Sequence, residues 1–194
     1  MIDFTPLHQK KTSIVRMADA MTPDDLRDAA ESVYTYILDQ LSVCDDHDVV
    51  FQPEDPSAID PYTLNAEELH IAWTLAHVIV HLNASNEESA FLAAELARGV
   101  EFHGRSRYEV PWQEVTTIRQ LRRLTLQSQK FMLSSLDLWP DPPHYEATYS
   151  PWASAGIVDA RGRYLLGLKH TDDHLAQIRE IIRQSKAAVE PSRV

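Results

Sequence analysis

The sequence predicts an all-α protein built around four long helices. Four segments carry apolar residues at steps of three and four, which is the spacing of one helix face. No segment shows the alternation of apolar and polar residues that is typical of a strand, and only 5 of the 194 residues are glycine. With 44% hydrophobic residues, the chain is long enough for one ordinary domain with a buried core.

The first predicted helix begins after Thr22 and ends near Val43. Thr22 suits the N-cap, Pro23 the first helical position, and acids fill the first turn. Before it, residues 1–20 have weak periodicity and are expected to form an N-terminal arm with one short helix. After it, residues 45–61 contain three prolines and many acids, and we expect a long surface connection there.

Three further helices follow at regular intervals. The second is predicted over residues 65–99 and the third over residues 112–138, where a proline-rich segment stops it and opens a second long connection. The fourth is predicted over residues 160–188. The helical domain therefore spans residues 21–188, and residues 189–194 form a polar C-terminal tail.

The charge balance excludes several classes of partner. There are 18 basic and 29 acidic residues, giving a net charge of −11, so nucleic acid is not an expected partner. The N-terminal segment lacks the apolar stretch of a secretory signal, and the single cysteine, Cys44, cannot form an internal disulfide. No apolar stretch is long enough to cross a bilayer. We therefore expect a cytoplasmic protein.

Two histidine pairs share one spacing, His77 with His81 in the second helix and His170 with His174 in the fourth. Residues four apart lie on one face of a helix, so each pair can direct two imidazoles into the same space. Helical bundles build metal sites in this way, from inward-facing side chains on neighbouring helices. Hydrogen-bonded core histidines would give the same pattern, and the spacing alone leaves both interpretations open.

The segments around these pairs resemble the DinB/YfiT-like superfamily. Residues 73–82 (WTLAHVIVHL) are similar to its second-helix signature, in which a metal-binding histidine follows a Trp-Ser/Thr start by eight residues, here His81 after Trp73. Residues 170–178 (HTDDHLAQI) resemble its last-helix pattern, HxxxHxxQI. The resemblance implies an up-down-down-up four-helix bundle with long loops after helices one and three.

The resemblance also implies a ligand set. In the family, three histidines hold a divalent metal, usually zinc or nickel, with waters at open positions; the matching residues here are His81, His170 and His174. His77 stands where many members carry a glutamate or another polar residue. It is therefore a possible fourth ligand, a group that contacts a ligand, or a bystander.

Three functions follow from this resemblance. An open three-histidine site is typical of catalysis, and its metal can activate a bound thiol or water. Relatives that transfer a low-molecular-weight thiol, such as bacillithiol or mycothiol, make thiol transfer to a small electrophilic substrate the leading hypothesis, with a metal-dependent hydrolase as the alternative. A non-catalytic stress-response or interaction module is the third, in which His77 would close the site. Bundles of this kind also pair through an apolar helix face, so we expect a possible homodimer.

Three polar residues are candidates to assist the metal. Gln177 lies one turn beyond His174 and would either orient a ligand or satisfy the core. Asp173 could accept an imidazole N–H. Glu88 shares the stripe of His81 but lies about 10 Å along the axis, so pairing with an arginine is favoured over a role as general base. Trp73 is expected to be a core or loop anchor.

Overall fold

The computed structural model describes residues 2–60 and 66–189. These residues form seven α-helices, and their only β-type pairing is a single bridge between Tyr149 and Val158. The all-α fold class predicted from the sequence is therefore confirmed. The helices are α1 (Thr5–His8), α2 (Ile14–Asp19), α3 (Pro23–Ser42), α4 (Asp46–Val50), α5 (Leu75–Ala97), α6 (Ile118–Leu136) and α7 (Ala160–Val189).

Helix α3 begins where the sequence predicts it. The Thr22 side chain accepts a hydrogen bond from the Asp25 N–H, and the Asp25 carboxylate accepts one from the Thr22 N–H. This reciprocal capping box satisfies two N–H groups that the helix itself cannot pair. The helix ends at Ser42, one residue from the predicted end.

The second long helix, α5, begins later than the predicted residue 65. Residue 65 lies outside the described residues, Ala66–Glu68 form only a 3-10 turn, and the helix begins at Leu75. Thr74 is the N-cap, and its hydroxyl accepts a hydrogen bond from the His77 N–H at 3.2 Å. The prediction was wrong because the acids after residue 65 imitate the first turn of a helix.

The third long helix, α6, also begins later than the predicted residue 112. Trp112–Glu114 form a 3-10 turn, and α6 starts only after Thr117, which forms a capping box with Gln120. Helix α7, by contrast, begins at Ala160 as predicted and continues to the end of the described residues.

Two segments predicted to lie outside the helical core contribute to it. Within residues 45–61, which are expected to be a surface connection, the chain forms α4, and Val49 and Asp48 are buried. The cap that Asp45 provides explains why a helix can begin in this acidic stretch. The N-terminal arm contains two short helices, and it packs Phe4 and Ile14 into the main apolar core.

Helix α5 contacts both α7 and α6, and α3 packs against α6 and α7. Along the α5–α7 interface, His81 lies against His170 and Ser89 against Arg163, so these two helices are antiparallel. Gly167 allows their close approach, because a Cβ there would lie 2.7 Å from the Ser89 Cβ.

Helices α3 and α6 are also antiparallel. Arg27, near the start of α3, pairs with Asp137 just after α6, and Tyr34 meets Ser128 in the middle of α6. Within the described residues, none of the helices combines the length and apolar character needed to span a membrane.

Candidate metal centre

Three of the four predicted histidines converge between α5 and α7. One ring nitrogen from each of His81, His170 and His174 can be chosen so that all three lie within 4.8 Å of one another. The closest pair joins the Nε2 atoms of His81 and His170 at 3.0 Å. His81 lies in the second turn of α5, and the other two lie one turn apart on α7, so the cluster depends on the packing of these two helices. This triad could hold a metal ion.

The imidazoles of α7 are held in their neutral form. Burial, reinforced by the neighbouring His174 and His81, lowers the pKa of His170 to about 3. Burial likewise lowers the pKa of His174, although its hydrogen bond to Gln177 acts in the opposite direction. Only a neutral imidazole offers a lone pair to a metal, so both side chains are ready to coordinate at neutral pH.

Gln177 fixes which nitrogen of His174 faces the cluster. Its Oε1 lies 2.7 Å from His174 Nδ1. An amide oxygen only accepts hydrogen bonds, so Nδ1 carries the proton and Nε2 keeps the lone pair. Of the two roles considered for Gln177, this contact is the one that orients a ligand.

His81 is contacted by two residues that the sequence analysis did not single out. Arg107 Nη2 lies 3.2 Å from His81 Nδ1 and 2.6 Å from a Glu109 oxygen, and that oxygen lies 3.5 Å from the same Nδ1. A guanidinium only donates, whereas a carboxylate only accepts. Therefore Arg107 favours the tautomer with a lone pair on Nδ1, and Glu109 favours the tautomer that leaves the lone pair on Nε2, facing His170.

The charge on Glu109 is well defined. Burial would raise its pKa, but the hydrogen bonds and charges of His81 and Arg107 outweigh this effect and lower it to about 2. Glu109 is thus an anion at neutral pH and can accept the His81 N–H when Nε2 coordinates, an arrangement common among metal-bound histidines. Its only signal in the sequence was its position in a polar loop.

Trp73 lies against one side of the triad, and Trp112 lies against the neighbouring His77. The Trp73 ring lies 4.8 Å from the His81 ring and 5.8 Å from the His174 ring. His77 is stacked between Trp73 at 4.3 Å and Trp112 at 5.0 Å, and it is not part of the triad. Trp73 packs at the edge of the core, as expected of an anchor, and it also shields the imidazole cluster.

No protein-family model, curated protein or solved structure matches the chain. The resemblance to the DinB/YfiT-like superfamily therefore depends on the two histidine motifs alone.

The other predicted helpers have structural partners. Glu88 is buried and accepts two hydrogen bonds from Arg105, at 2.9 Å and 2.6 Å, which is the arginine pairing favoured over a role as general base. Asp173 does not accept an imidazole N–H from the triad. Its carboxylate is 2.6 Å from Lys169 and 3.8 Å from His8, because it projects from the side of α7 that faces the N-terminal segment.

Cys44 offers no second reactive centre. It is half-buried at the end of α3, and burial raises the pKa of its thiol to about 11. A thiol that stays protonated at neutral pH is a poor nucleophile.

Proposed function

We propose that this protein is a metal-dependent enzyme whose divalent ion, zinc or nickel, is held by His81, His170 and His174. The convergence of these three imidazoles carries the proposal. Their donor set fits such an ion: two of the rings are kept neutral by burial, and the outward nitrogens meet Gln177 and Glu109. Three neutral nitrogen ligands suit both zinc and nickel.

The fold that we propose around this centre is an up-down-down-up four-helix bundle formed by α3, α5, α6 and α7. The directions of the helices support it. In an up-down-up-down bundle the first and third helices would run parallel, as would the second and fourth. Here α3 is antiparallel to α6, and α5 is antiparallel to α7.

We further propose that the enzyme transfers a low-molecular-weight thiol, of the bacillithiol or mycothiol type, to a small electrophilic substrate. A divalent ion bound there supplies Lewis acidity, which lowers the pKa of a thiol or water that it coordinates. Gln177 keeps His174 in the tautomer that leaves Nε2 free to coordinate, and Trp73 shields the cluster on one side. At His81, Glu109 favours the same tautomer and Arg107 the opposite one, so coordination through Nε2 requires the Nδ1 proton to be shared with Glu109. The alternative is hydrolysis with water as the nucleophile, which the same residues would support.

His77 favours an enzyme over a closed structural site. A non-catalytic module would need a fourth protein ligand to complete a tetrahedral site. His77, one turn before His81, is the candidate for this fourth ligand, but its ring is stacked against both Trp73 and Trp112. It would have to leave both indoles to reach the cluster, so a position remains open to substrate.

Metal content tests the centre. We expect about one equivalent of zinc or nickel in the wild type, measured by elemental analysis after incubation and desalting, and its loss in His81→Ala and His174→Ala. His77→Ala should keep its affinity within a few-fold, and His144→Ala, in an exposed loop, serves as the control. Cobalt or copper should also quench the fluorescence of Trp73, because its ring adjoins two of the ligands.

A wild type that binds no metal, or a His77→Ala variant that loses all metal, would contradict the three-ligand centre. The metal-loaded protein can then be given bacillithiol with 1-chloro-2,4-dinitrobenzene, and separately p-nitrophenyl esters. Metal-dependent consumption of thiol supports transfer, and ester cleavage without thiol supports hydrolysis. Neither reaction, with stoichiometric metal, would favour the non-catalytic module.

A further inference from the structure

The outer face of α6 carries a stripe of positive charge. The 19 residues of this helix include four basic residues and no acidic one, in a chain of net charge −11. The four cations project from the side opposite the buried residues of the helix and surround Leu126, which is 49% exposed. Together with Ile118 and Gln127 they line an open groove. The cations are Arg119, Arg122, Arg123 and Lys130.

These cations have no partner among the described residues. Within residues 2–60 and 66–189, none of the four makes a hydrogen bond or an ion pair, whereas Arg27, Arg107 and Arg161 all pair with carboxylates. A group of unpaired like charges repels itself, and a complementary anionic surface would relieve that repulsion.

Helix α3 presents a complementary stripe. Four exposed acids recur along one side of it, opposite its buried face, at spacings of four, three and eight residues. Across the described part of the chain, their carboxylates likewise take part in no hydrogen bond or ion pair. The acids are Asp24, Asp28, Glu31 and Asp39.

The two stripes lie on neighbouring helices. Arg27 of α3 donates to the Leu133 carbonyl and pairs with Asp137 next to α6, and Tyr34 meets Ser128 further along. The outer surfaces of α3 and α6 therefore form one face of the molecule, half acidic and half basic. We refer to it as the α3/α6 face.

We propose that the α3/α6 face binds a second copy of this chain, with α6 of each protomer against α3 of its partner. A two-fold axis parallel to the helices preserves the register that the Tyr34–Ser128 contact sets, so Lys130 lies level with the partner's Glu31 and Arg123 with the partner's Asp39. Each of these ion pairs then occurs twice. The other two-fold arrangement would oppose α6 to α6 and bring like charges together.

A polyanion fits this face less well. A membrane surface or a nucleic acid is negative over its whole extent, so contact with α6 would bring it against the adjacent acids of α3. Only a surface that carries both signs in the same layout matches both helices, and the second copy provides that layout.

The contact is expected to be weak and sensitive to salt. Only Leu126 and Ile118 are large apolar side chains among the residues lining the groove, so charge pairing at exposed sites must supply most of the affinity. The net charge of −11 on each copy opposes association at low ionic strength. The dimer should therefore be measured near 0.1 M salt, where the Debye length is about 10 Å and the long-range repulsion between the two copies is screened.

A charge-swap experiment tests the proposal. One variant combines Arg119→Glu, Arg123→Glu and Lys130→Glu, and the other combines Asp28→Lys, Glu31→Lys and Asp39→Lys. Sedimentation velocity should find a concentration-dependent dimer for the wild type and monomers for each variant alone. An equimolar mixture of the two should restore the dimer, because a predominantly acidic face then meets a predominantly basic one.

A wild type that stays monomeric at every concentration would overturn the proposal, as would a mixture that stays monomeric while circular dichroism finds both variants folded. Binding to anionic vesicles or duplex DNA that is lost only in the α6 variant would assign the basic stripe to a polyanion instead. The face lies on α3 and α6, whereas the triad lies on α5 and α7, so either outcome leaves the proposed metal centre untouched.

Discussion

The choice of nitrogen at each imidazole determines whether the triad can coordinate a metal. For His174 that choice depends on a single acceptor, Gln177 Oε1 at 2.7 Å from Nδ1. Without an acceptor, the ring can rotate and the other tautomer becomes available. Both changes reduce the fraction of molecules in which Nε2 is ready to coordinate.

Gln177→Leu is therefore expected to weaken zinc binding by about 10- to 100-fold. Gln177→Glu retains an acceptor oxygen and should restore most of the affinity, which a purely packing role for Gln177 would not predict. Competition titrations against a chromophoric chelator measure both constants. Equal affinities for Gln177→Leu and the wild type would mean that the hydrogen bond does not orient His174.

Not all residues around the triad could be found from the sequence. Gln177 could be predicted because it lies three residues after His174, where helical geometry places it on a neighbouring part of the same face. Arg107, Glu109 and Trp112 lie in the connection between α5 and α6, where no period relates sequence position to direction. Only the packing of that connection against α5 brings them to the site.

At the scale of whole elements, the separation of α5 and α7 sets the size of the metal centre. Gly167 lies opposite Ser89 and Asn86, and a Cβ at this position would lie 2.7 Å from Ser89 Cβ and 3.0 Å from the Asn86 side-chain oxygen. One turn further along α7 is His170, whose Nε2 lies 3.0 Å from that of His81 on α5. Pushing the helices apart at Gly167 would therefore separate these two ligands.

Gly167→Ala should destabilise the protein by about 1–3 kcal/mol, because neither helix can move without disturbing a packed interface. The direction of this stability change distinguishes a tight contact from an open one, since the same substitution in a solvent-exposed helix would stabilise it by about 1 kcal/mol. Zinc affinity should fall as well. Urea denaturation and a zinc titration provide the two measurements, and a variant as stable as the wild type would contradict the tight α5–α7 contact.

The helix boundaries illustrate which local sequence signals are sufficient to predict where a helix begins. The start of α3 follows from the sequence, because its N-cap, first-turn proline and acids all agree. The start of α5 does not, since residues 66–68 resemble a helix start although the helix begins nine residues later, after Thr74. Tertiary packing decides which of two possible N-caps starts the helix. A local sequence pattern carries no information about that packing.

At the scale of the whole molecule, an ion pair between a buried carboxylate and a partly exposed lysine connects the region after α3 to the last turns of α7. Asp48 of α4 is only 1% exposed, and it accepts hydrogen bonds from Ser185 and Lys186 of α7 at 2.7 Å and 2.6 Å. Burial alone would raise the pKa of Asp48. The contacts with Lys186, the Asp45 N–H and Ser185 together outweigh burial, and the pKa is lowered.

A carboxyl group whose pKa is lower in the folded than in the unfolded chain stabilises the fold above its unfolded pKa, which is about 3.9 for aspartate. That stabilisation is lost as the pH falls through the lower, folded value. Asp48→Asn should therefore lower the free energy of unfolding at pH 7 by about 2 kcal/mol. The difference from the wild type should shrink between pH 5 and pH values below the folded pKa of Asp48.

Urea denaturation of both proteins across this range isolates the contribution of Asp48, because the other carboxylates titrate equally in each. A difference that stays constant down to the lowest pH would mean that Asp48 acts through packing rather than through its charge. If the difference narrows, its charge holds α4 against α7.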